Sequence, residues 1–480
     1  MTTRTPVLRN SVATFLGLIS GNLAVLAVSF LIARCAGTQS LGAYSLVMAG
    51  VYFFIMIAEI WLKPIFIREA ARAGKDKQRK IIGSAILLML GFAGVGMLCL
   101  LMARVMLKLE GEVAALVYPA LILLPLLSGI VAWEVVFRVS YTMDRYVRAT
   151  IAGNVLFVLL AGYAVVTGKP LLFVVLALIV VQALVLGALI FLSRRLLVPD
   201  FSISKYVYAD ILRASLPLAL TALFIAMYQR LDQILLYKLA GVASVGLYAA
   251  ALRIAESLNI IPLSLMASVF PLLARSYRTA PQDFEKLYRL SFQLLAVVIF
   301  PAAMFITLFS RPLMLLIYGR EFASAGPVLI ILSWSLVFVF YGVVNKHILI
   351  AADLQKIDPF FTGVSAAVGI GLNLILIPRF SYQGAAAAFL AAVATGPILG
   401  LGIPQTREYS LSMVRVSIKP LGCALLMAGV IQGLRIPLRP AIAVAPLVYG
   451  LLLAAVRGIH ADDIRLLKSL LAVSPASDTR

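Results

Sequence analysis

Three stretches of this chain run the full thickness of a bilayer without a single charged residue. Ser11–Ala33 and Ile81–Ala103 each hold 23 uncharged residues and Pro170–Ser193 holds 24. A helix rising about 1.5 Å per residue needs roughly 20 residues to cross ~30 Å of hydrocarbon, so each run is long enough. The runs are apolar on all sides, whereas a barrel strand alternates with a period of two. Helices are therefore the spanning structure that satisfies their backbone polar groups. The character is general: 62% of the 480 residues are hydrophobic and 13% are charged, too few charges to cover a soluble protein of this size.

The apolar segments predict an all-α polytopic membrane protein of about fourteen helices, near 11–33, 42–60, 81–103, 116–138, 150–166, 171–193, 214–239, 245–270, 288–309, 326–350, 359–378, 383–404, 416–434 and 440–457. The first run is too long for the apolar core of a signal peptide and reads as a retained helix. Lys419 and Pro420 shorten the apolar core near 416–434, which leaves twelve spans as the alternative. The net charge of +21 would suggest nucleic acid in a soluble chain. With the N-terminus inside, 29 of the 41 Lys and Arg fall on cytoplasmic segments, 10 on outer ones and two deep within helices. Topology thus accounts for the charge and predicts a multi-pass protein of the cell (inner) membrane with both termini cytoplasmic, without a nucleic-acid partner.

The chain also repeats itself. Gly37-Thr-Gln-Ser-Leu-Gly42-Ala-Tyr44 returns as Gly241-Val-Ala-Ser-Val-Gly246-Leu-Tyr248, and Pro64-Ile-Phe-Ile-Arg68 as Pro271-Leu-Leu-Ala-Arg275. Gly111 with Glu112 matches the position of Gly319 to Ala323, and Asp144 that of Asp353. The offsets run in order from 204 to 209. Six helices per copy is an even number, so both copies keep the same membrane orientation, related by an axis along the membrane normal. The expected organisation is a six-helix lobe over 1–205, a second over 206–410, and two additional helices with a cytoplasmic tail over 411–480. The linker 194–214, with Pro199, Asp200 and aromatics among basic residues, suits a cytoplasmic interface.

Arg230-Leu-Asp232-Gln-Ile-Leu-Leu through Gly241, then Gly246-Leu-Tyr248-Ala-Ala-Ala-Leu-Arg253-Ile-Ala-Glu256 and Pro262 to Pro271-Leu-Leu-Ala-Arg275, resemble the Wzx-like oligosaccharide/polysaccharide flippases of the multidrug/oligosaccharidyl-lipid/polysaccharide exporter superfamily. Tyr318-Gly-Arg-Glu-Phe322, Ala351-Ala-Asp353 and Asn373 to Pro378 followed by Gly384 are similar too, and the likeness covers roughly residues 10–410. The resemblance implies a V-shaped pair of lobes that carries a lipid-linked oligosaccharide from the cytoplasmic to the outer leaflet for surface polysaccharides such as O-antigen, lipopolysaccharide or exopolysaccharide. Its implied partners are membrane lipids, a polysaccharide polymerase and glycosyltransferases.

Charges within the membrane are costly, so each one deep in a helix is a candidate. Glu59 with Lys63 and Glu134 with Arg138 are i,i+4 pairs near cytoplasmic helix ends and read as structural. His347 reads as an interface residue rather than a proton carrier. Arg230, Asp232, Arg253 and Glu256 lie deeper, and an offset of 204 maps them to Leu26, Val28, Ala49 and Tyr52, so the same helices form in the first copy without charge. They are the candidate substrate-binding residues, because guanidinium forks bind phosphate oxygens two at a time. The structural alternative is an Arg253–Glu256 pair that only neutralises itself. Asn22, Gln182, Asn345 and Asn373 could bond sugars or neighbouring helices. The sequence has no P-loop, zinc-protease motif, nucleophile elbow or dinucleotide fingerprint, and Cys35, Cys99 and Cys423 lack metal-ligand spacing. The expectation is a transporter without catalytic residues, cofactor or metal. The competing readings are a multidrug or cation antiporter using Asp232 or Glu256, a membrane glycosyltransferase, and an assembly scaffold.

Overall fold

The computed structural model describes residues 4–202 and 205–456, with side chains omitted at 4–12, 203–215 and 217; the expected cytoplasmic tail lies outside the described residues. Among them there is no strand. The helices are α1 (Arg4–Ile57), α2 (Lys63–Arg72), α3 (Lys75–Met106), α4 (Gly111–Val139), α5 (Met143–Val166), α6 (Leu171–Ser193) and α7 (Lys205–Ala240), followed by α8 (Val242–Ser257), α9 (Ile260–Thr279), α10 (Pro281–Ile317), α11 (Gly326–Ala351), α12 (Asp358–Gly402), α13 (Pro404–Gly433) and α14 (Leu438–Ala455).

Eleven of the described segments are long and apolar enough to cross a membrane. Two of them are too long to cross once: α1 has 54 residues and α12 has 45, about 80 and 70 Å if straight. Each breaks at one residue in the positive-φ region, α1 at Gly37 (φ 79°) and α12 at Ser381 (φ 50°). In α12 the chain folds back there, because a Cβ on Gly384 would overlap the carbonyl of Leu376, eight residues earlier. Counting the parts separately, together with α7, is consistent with about fourteen spans.

The expected helix 245–270 is instead two, α8 and α9, interrupted at Leu258 and Asn259. Pro262 carries no N–H for the carbonyl four residues earlier, and the chain tightens through Leu258 N–H to Ala255 O (3.1 Å) and Asn259 N–H to Glu256 O (3.0 Å). In the first copy Pro64 similarly follows a π-helical turn at Ala58–Leu62.

Outer surfaces are apolar: Val105, Leu447 and Leu451 are each exposed by about two thirds or more. Water would not tolerate so continuous a surface, and hydrocarbon does. The protein is a multi-pass membrane protein.

Corresponding helices pair alike in the two halves. Gly17 meets Val147 and Leu31 meets Gly162, so the first part of α1 runs parallel to α5; Phe224 meets Gly363 and Tyr228 meets Gly369, so α7 runs parallel to the first part of α12. The repeated glycine motif is one place where the halves touch. Gly37 (φ 79°, ψ −170°) and Gly241 (φ 84°, ψ 170°) share a backbone conformation open only to glycine. Five residues on, a Cβ at Gly42 would overlap the Val242 carbonyl, and a Cβ at Gly246 would overlap the Thr38 carbonyl. The two contacts are the same contact at an offset of 204. Beside them Arg34 donates to the carbonyls of Leu316 and Ile317, and the Thr38 N–H donates to Glu321 Oε2 at 3.3 Å.

Candidate functional site

The site grows from two neighbouring helices. Arg230 projects from α7, while Arg253 and Glu256 sit one turn apart on α8, just before the break that Pro262 imposes. Arg230 Nη1 donates to Glu256 Oε1 at 3.2 Å, and Arg253 Nη1 donates to Glu256 Oε2 at 2.8 Å. One carboxylate therefore serves two guanidinium groups. The arginine side chains are 13% and 10% exposed and the glutamate 28%. The Nε of each arginine is buried without a hydrogen-bond partner among the described residues. Two cations sharing one anion leave a net positive charge in a low-dielectric site, the condition under which a second anion binds strongly.

Three of the four candidates are thus brought together, and Asp232 is not among them. It is 2% exposed, accepts the Tyr248 hydroxyl, and accepts the backbone N–H of Gln233 at 2.7 Å. Two residues along a helix point about 200° apart, so Arg230 can face the cluster only with Asp232 turned away. Asp232 locks α7 to α8 behind the site.

Tyr44 and Tyr52 lie within electrostatic range of Arg253, and Tyr318 does so from α10's end. Tyr52 is also within range of Arg230 and Glu256. No charge marked these tyrosines in the sequence. Their only signal was positional: Tyr44 and Tyr248 end the repeated glycine motif, and Tyr52 is the counterpart of Glu256.

Glu256 lines a cavity of about 460 Å³, whose lining includes neither arginine. It lies among α7, α8, α9, α11 and α12, and Met56 and Ile60 close it from the first half. Asn345, Lys346, His347 and Asp358 also line it. Of the four amides singled out, Asn345 reaches this cavity, whereas Asn22, Gln182 and Asn373 lie elsewhere. The His347 Nδ1 is bonded to the Val343 carbonyl at 2.7 Å and its ring meets Phe270 edge-on, as an interface residue would. No group of three or more metal-binding side chains occurs among the described residues.

The two i,i+4 pairs merge into one network. Lys63 Nζ donates to Glu59 Oε1 at 3.0 Å and to Glu134 Oε2 at 3.1 Å, while Glu134 Oε1 accepts from Arg138 at 2.6 Å. Lys63 thereby ties the π-helical bend to α4. The pairs are structural, and the bridge between them was not visible as spacing.

Comparison with known proteins agrees with this architecture. The chain resembles the probable low-salt glycan biosynthesis flippase Agl15 of Haloferax volcanii, 27% identical over 161 residues, 32% of this chain and 33% of that protein. It also resembles the capsular polysaccharide biosynthesis protein CapF of Staphylococcus aureus, 23% identical over 181 residues, 37% of this chain and 46% of that protein. The chain therefore spans a third to just under half the length of these curated relatives. Among solved structures, the lipid II flippase MurJ in an inward closed conformation superposes with a TM-score of 0.75 at 14% identity, over 93% of this chain and 98% of that one. An inward-facing multidrug resistance MATE family transporter of the MOP superfamily gives 0.68 at 17% identity, over 84% and 99%. These show the shared fold. A MatE family model matches residues 217–375. The model described as polysaccharide biosynthesis protein matches residues 7–277, more than half of the chain, and the chain belongs to that family.

Proposed function

We propose that the protein is a flippase that moves a polyprenyl-pyrophosphate-linked oligosaccharide from the cytoplasmic to the outer leaflet by alternating access, for cell-surface polysaccharide synthesis. The observation that carries this reading is the pairing of Arg230 and Arg253 on the single carboxylate of Glu256, which also lines a cavity inside a membrane protein. A pyrophosphate offers the oxygens that two guanidinium forks can take in place of Glu256. The names of Agl15, CapF and MurJ support the same substrate class.

In this reading the moving bodies are the two six-helix lobes, 1–205 and 206–410, with 411–480 carried on the second. Both termini face the cytoplasm. The phosphate sits on the arginines, the lipid tail stays in the bilayer, and the glycan passes to a polymerase after glycosyltransferases have built it. Rocking about the Gly42/Gly246 contact would expose the site to each side in turn, because a pair of backbones packed without side chains can pivot without unpacking a core.

The test is export of a tagged lipid-linked glycan by the purified protein in inverted vesicles, with protein abundance measured in parallel. Arg253→Lys keeps the charge and loses the planar fork, so transport should fall while the protein still accumulates. Arg253→Glu should abolish it. Normal export by a well-expressed Arg230→Ala, Arg253→Ala variant would remove these residues from the site.

The second reading is a multidrug or cation antiporter, favoured by the MATE likeness. It would need a free carboxylate at the cavity. Glu256 is already held by two arginines and Asp232 by Tyr248, so the carboxylate this reading would have to use is Asp358, which also lines the cavity.

A further inference from the structure

The described part of the linker between the two copies, 194–202, is fastened to the first of them. The Asp200 N–H donates to the Arg79 carbonyl at 3.1 Å, and Arg79 Nε donates back to the Val198 carbonyl at 2.9 Å. A Cβ on Gly83 would overlap the Asp200 carbonyl, so the linker backbone lies directly on α3. Trp133 Nε1 donates to Ser193 Oγ at 3.1 Å and ties the start of the linker to α4. A slack connection between two copies needs none of these bonds.

The fastening presents apolar and basic groups together. Leu196 and Leu197 pack against the core, whereas Val198 and Phe201 are 52% and 50% exposed. The first turns of α3 and the end of α6 carry six exposed cations, Lys75, Lys77, Arg79, Lys80, Arg194 and Arg195. None of them forms an ion pair among the described residues. The corresponding turn of the second copy, 281–289 at the offset of 207 that relates Pro64 to Pro271, neutralises itself. There Lys286 pairs with Asp283 at 3.6 Å and Arg289 with Glu285 at 3.2 Å.

Depth points to the occupant. Phe191, less than one turn before Arg194, is 66% exposed on the apolar outer surface, so the arginines follow where hydrocarbon gives way to headgroups. Arg195 precedes Val198 by three residues, which holds their Cα atoms within about 11 Å. Lys80 follows Arg79, which is bonded to Val198. An acidic protein would match the cations and leave Val198 and Phe201 in water, and a neutral lipid would leave the cations unmatched. A phospholipid with an anionic headgroup matches both.

We propose that the linker and the start of α3 form a binding site for an anionic phospholipid of the inner leaflet, its phosphate on Lys80, Arg194 and Arg195 and its acyl chains against Val198 and Phe201. A lipid bound there holds the connection between the copies at the membrane surface. The site is separate from the arginine cluster and does not rest on the flippase reading. Its leaflet follows from the cytoplasmic placement of 75–80, which a topology reporter at Gly74 tests by itself.

The test is native mass spectrometry of the full chain in detergent, titrated with phosphatidylglycerol or with phosphatidylcholine of the same acyl chains. Each cation beside a headgroup contributes about fivefold, so phosphatidylglycerol should bind about tenfold more tightly or better. Replacing Lys80, Arg194 and Arg195 together with Gln should bring that preference below about twofold at an unchanged melting midpoint, because these side chains are exposed and unpaired. Lys286→Gln with Arg289→Gln, in the self-neutralised turn, should leave the preference intact. Phe201→Ser should weaken both lipids alike, and glycerol phosphate at the same concentration should not displace phosphatidylglycerol. Equal binding of the two lipids by the wild-type chain, or a full preference in the triple variant, overturns the site. An equal loss in the second-copy variant would reduce it to net charge, and displacement by glycerol phosphate, or no effect of Phe201→Ser, would make it a free-anion site; each of these also overturns the proposal.

Discussion

Replacing Glu256 with Gln tests the cluster without touching a phosphate-binding group. The change removes the counter-ion of two arginines that are only 13% and 10% exposed, breaking hydrogen bonds of 3.2 and 2.8 Å. A hydrogen bond to a charged group contributes about 1.5–3 kcal/mol, and breaking a buried pair costs about 3–5. Glu256 itself is 28% exposed, so water entering the cavity offsets part of this, leaving about 2–3 kcal/mol. For a chain of this size that corresponds to a melting midpoint lower by roughly 2–3 °C. The deficit should shrink when an anion is supplied. Inorganic pyrophosphate at a hundredfold excess over its dissociation constant adds about 2.7 kcal/mol, and the variant should bind it more tightly because no carboxylate competes. Thermal melting of the purified protein, monitored by size-exclusion fluorescence with and without pyrophosphate, reads both effects. A variant that melts with the wild type, or that gains no more from pyrophosphate than the wild type does, refutes the shared counter-ion.

A reporter fused after Gly74 should read cytoplasmic and one after Gly168 external, because Lys75, Lys77, Arg79 and Lys80 crowd the first loop and Lys169 is alone in the second; an external signal at Gly74 would overturn the topology. Collapsing the membrane potential with an ionophore should slow export, since an inside-negative potential drives an anion outward by about 2.3 kcal/mol per charge per 100 mV. Export that ignored the potential and followed a sodium or proton gradient would favour the antiporter. Gly42→Leu should push against the Val242 carbonyl, lower the melting midpoint by several degrees and make a cysteine placed at Ala43 more reactive to a membrane-impermeant thiol reagent; an unchanged midpoint and reactivity would show that the halves do not bear on each other there.

The helices could be read from the sequence because their determinants are local. An uncharged run of 23 residues has few alternatives in a chain with 13% charge. The break after Ser257 was written in Pro262 but masked by the apolar run around it. The candidate site was half legible. Depth and the missing charges of the first copy drew attention to Arg230, Arg253 and Glu256, yet helical spacing alone offered Glu256 only to Arg253. Its bond to Arg230, 26 residues away, depends on how α7 and α8 turn toward each other. Asp232 misled for the same reason: closeness in sequence to Arg230 is opposition on a helix, and its partner is Tyr248. The cavity could not be read at all, since its wall is gathered from five helices of one half and two residues of the other. Among the amides singled out in the sequence, only Asn345 proved to line it.

The glycine contact between the halves has the symmetry of an isologous dimer. Thr38 meets Gly246 as Val242 meets Gly42, each surface complementary to its own copy. A single six-helix unit carrying this motif could have paired with itself before the two copies were joined in one chain. Fusion then freed the copies to diverge away from that seam. Charge collected in the second copy around Glu256, where the first copy carries Leu26, Ala49 and Tyr52, so two equal sites became one.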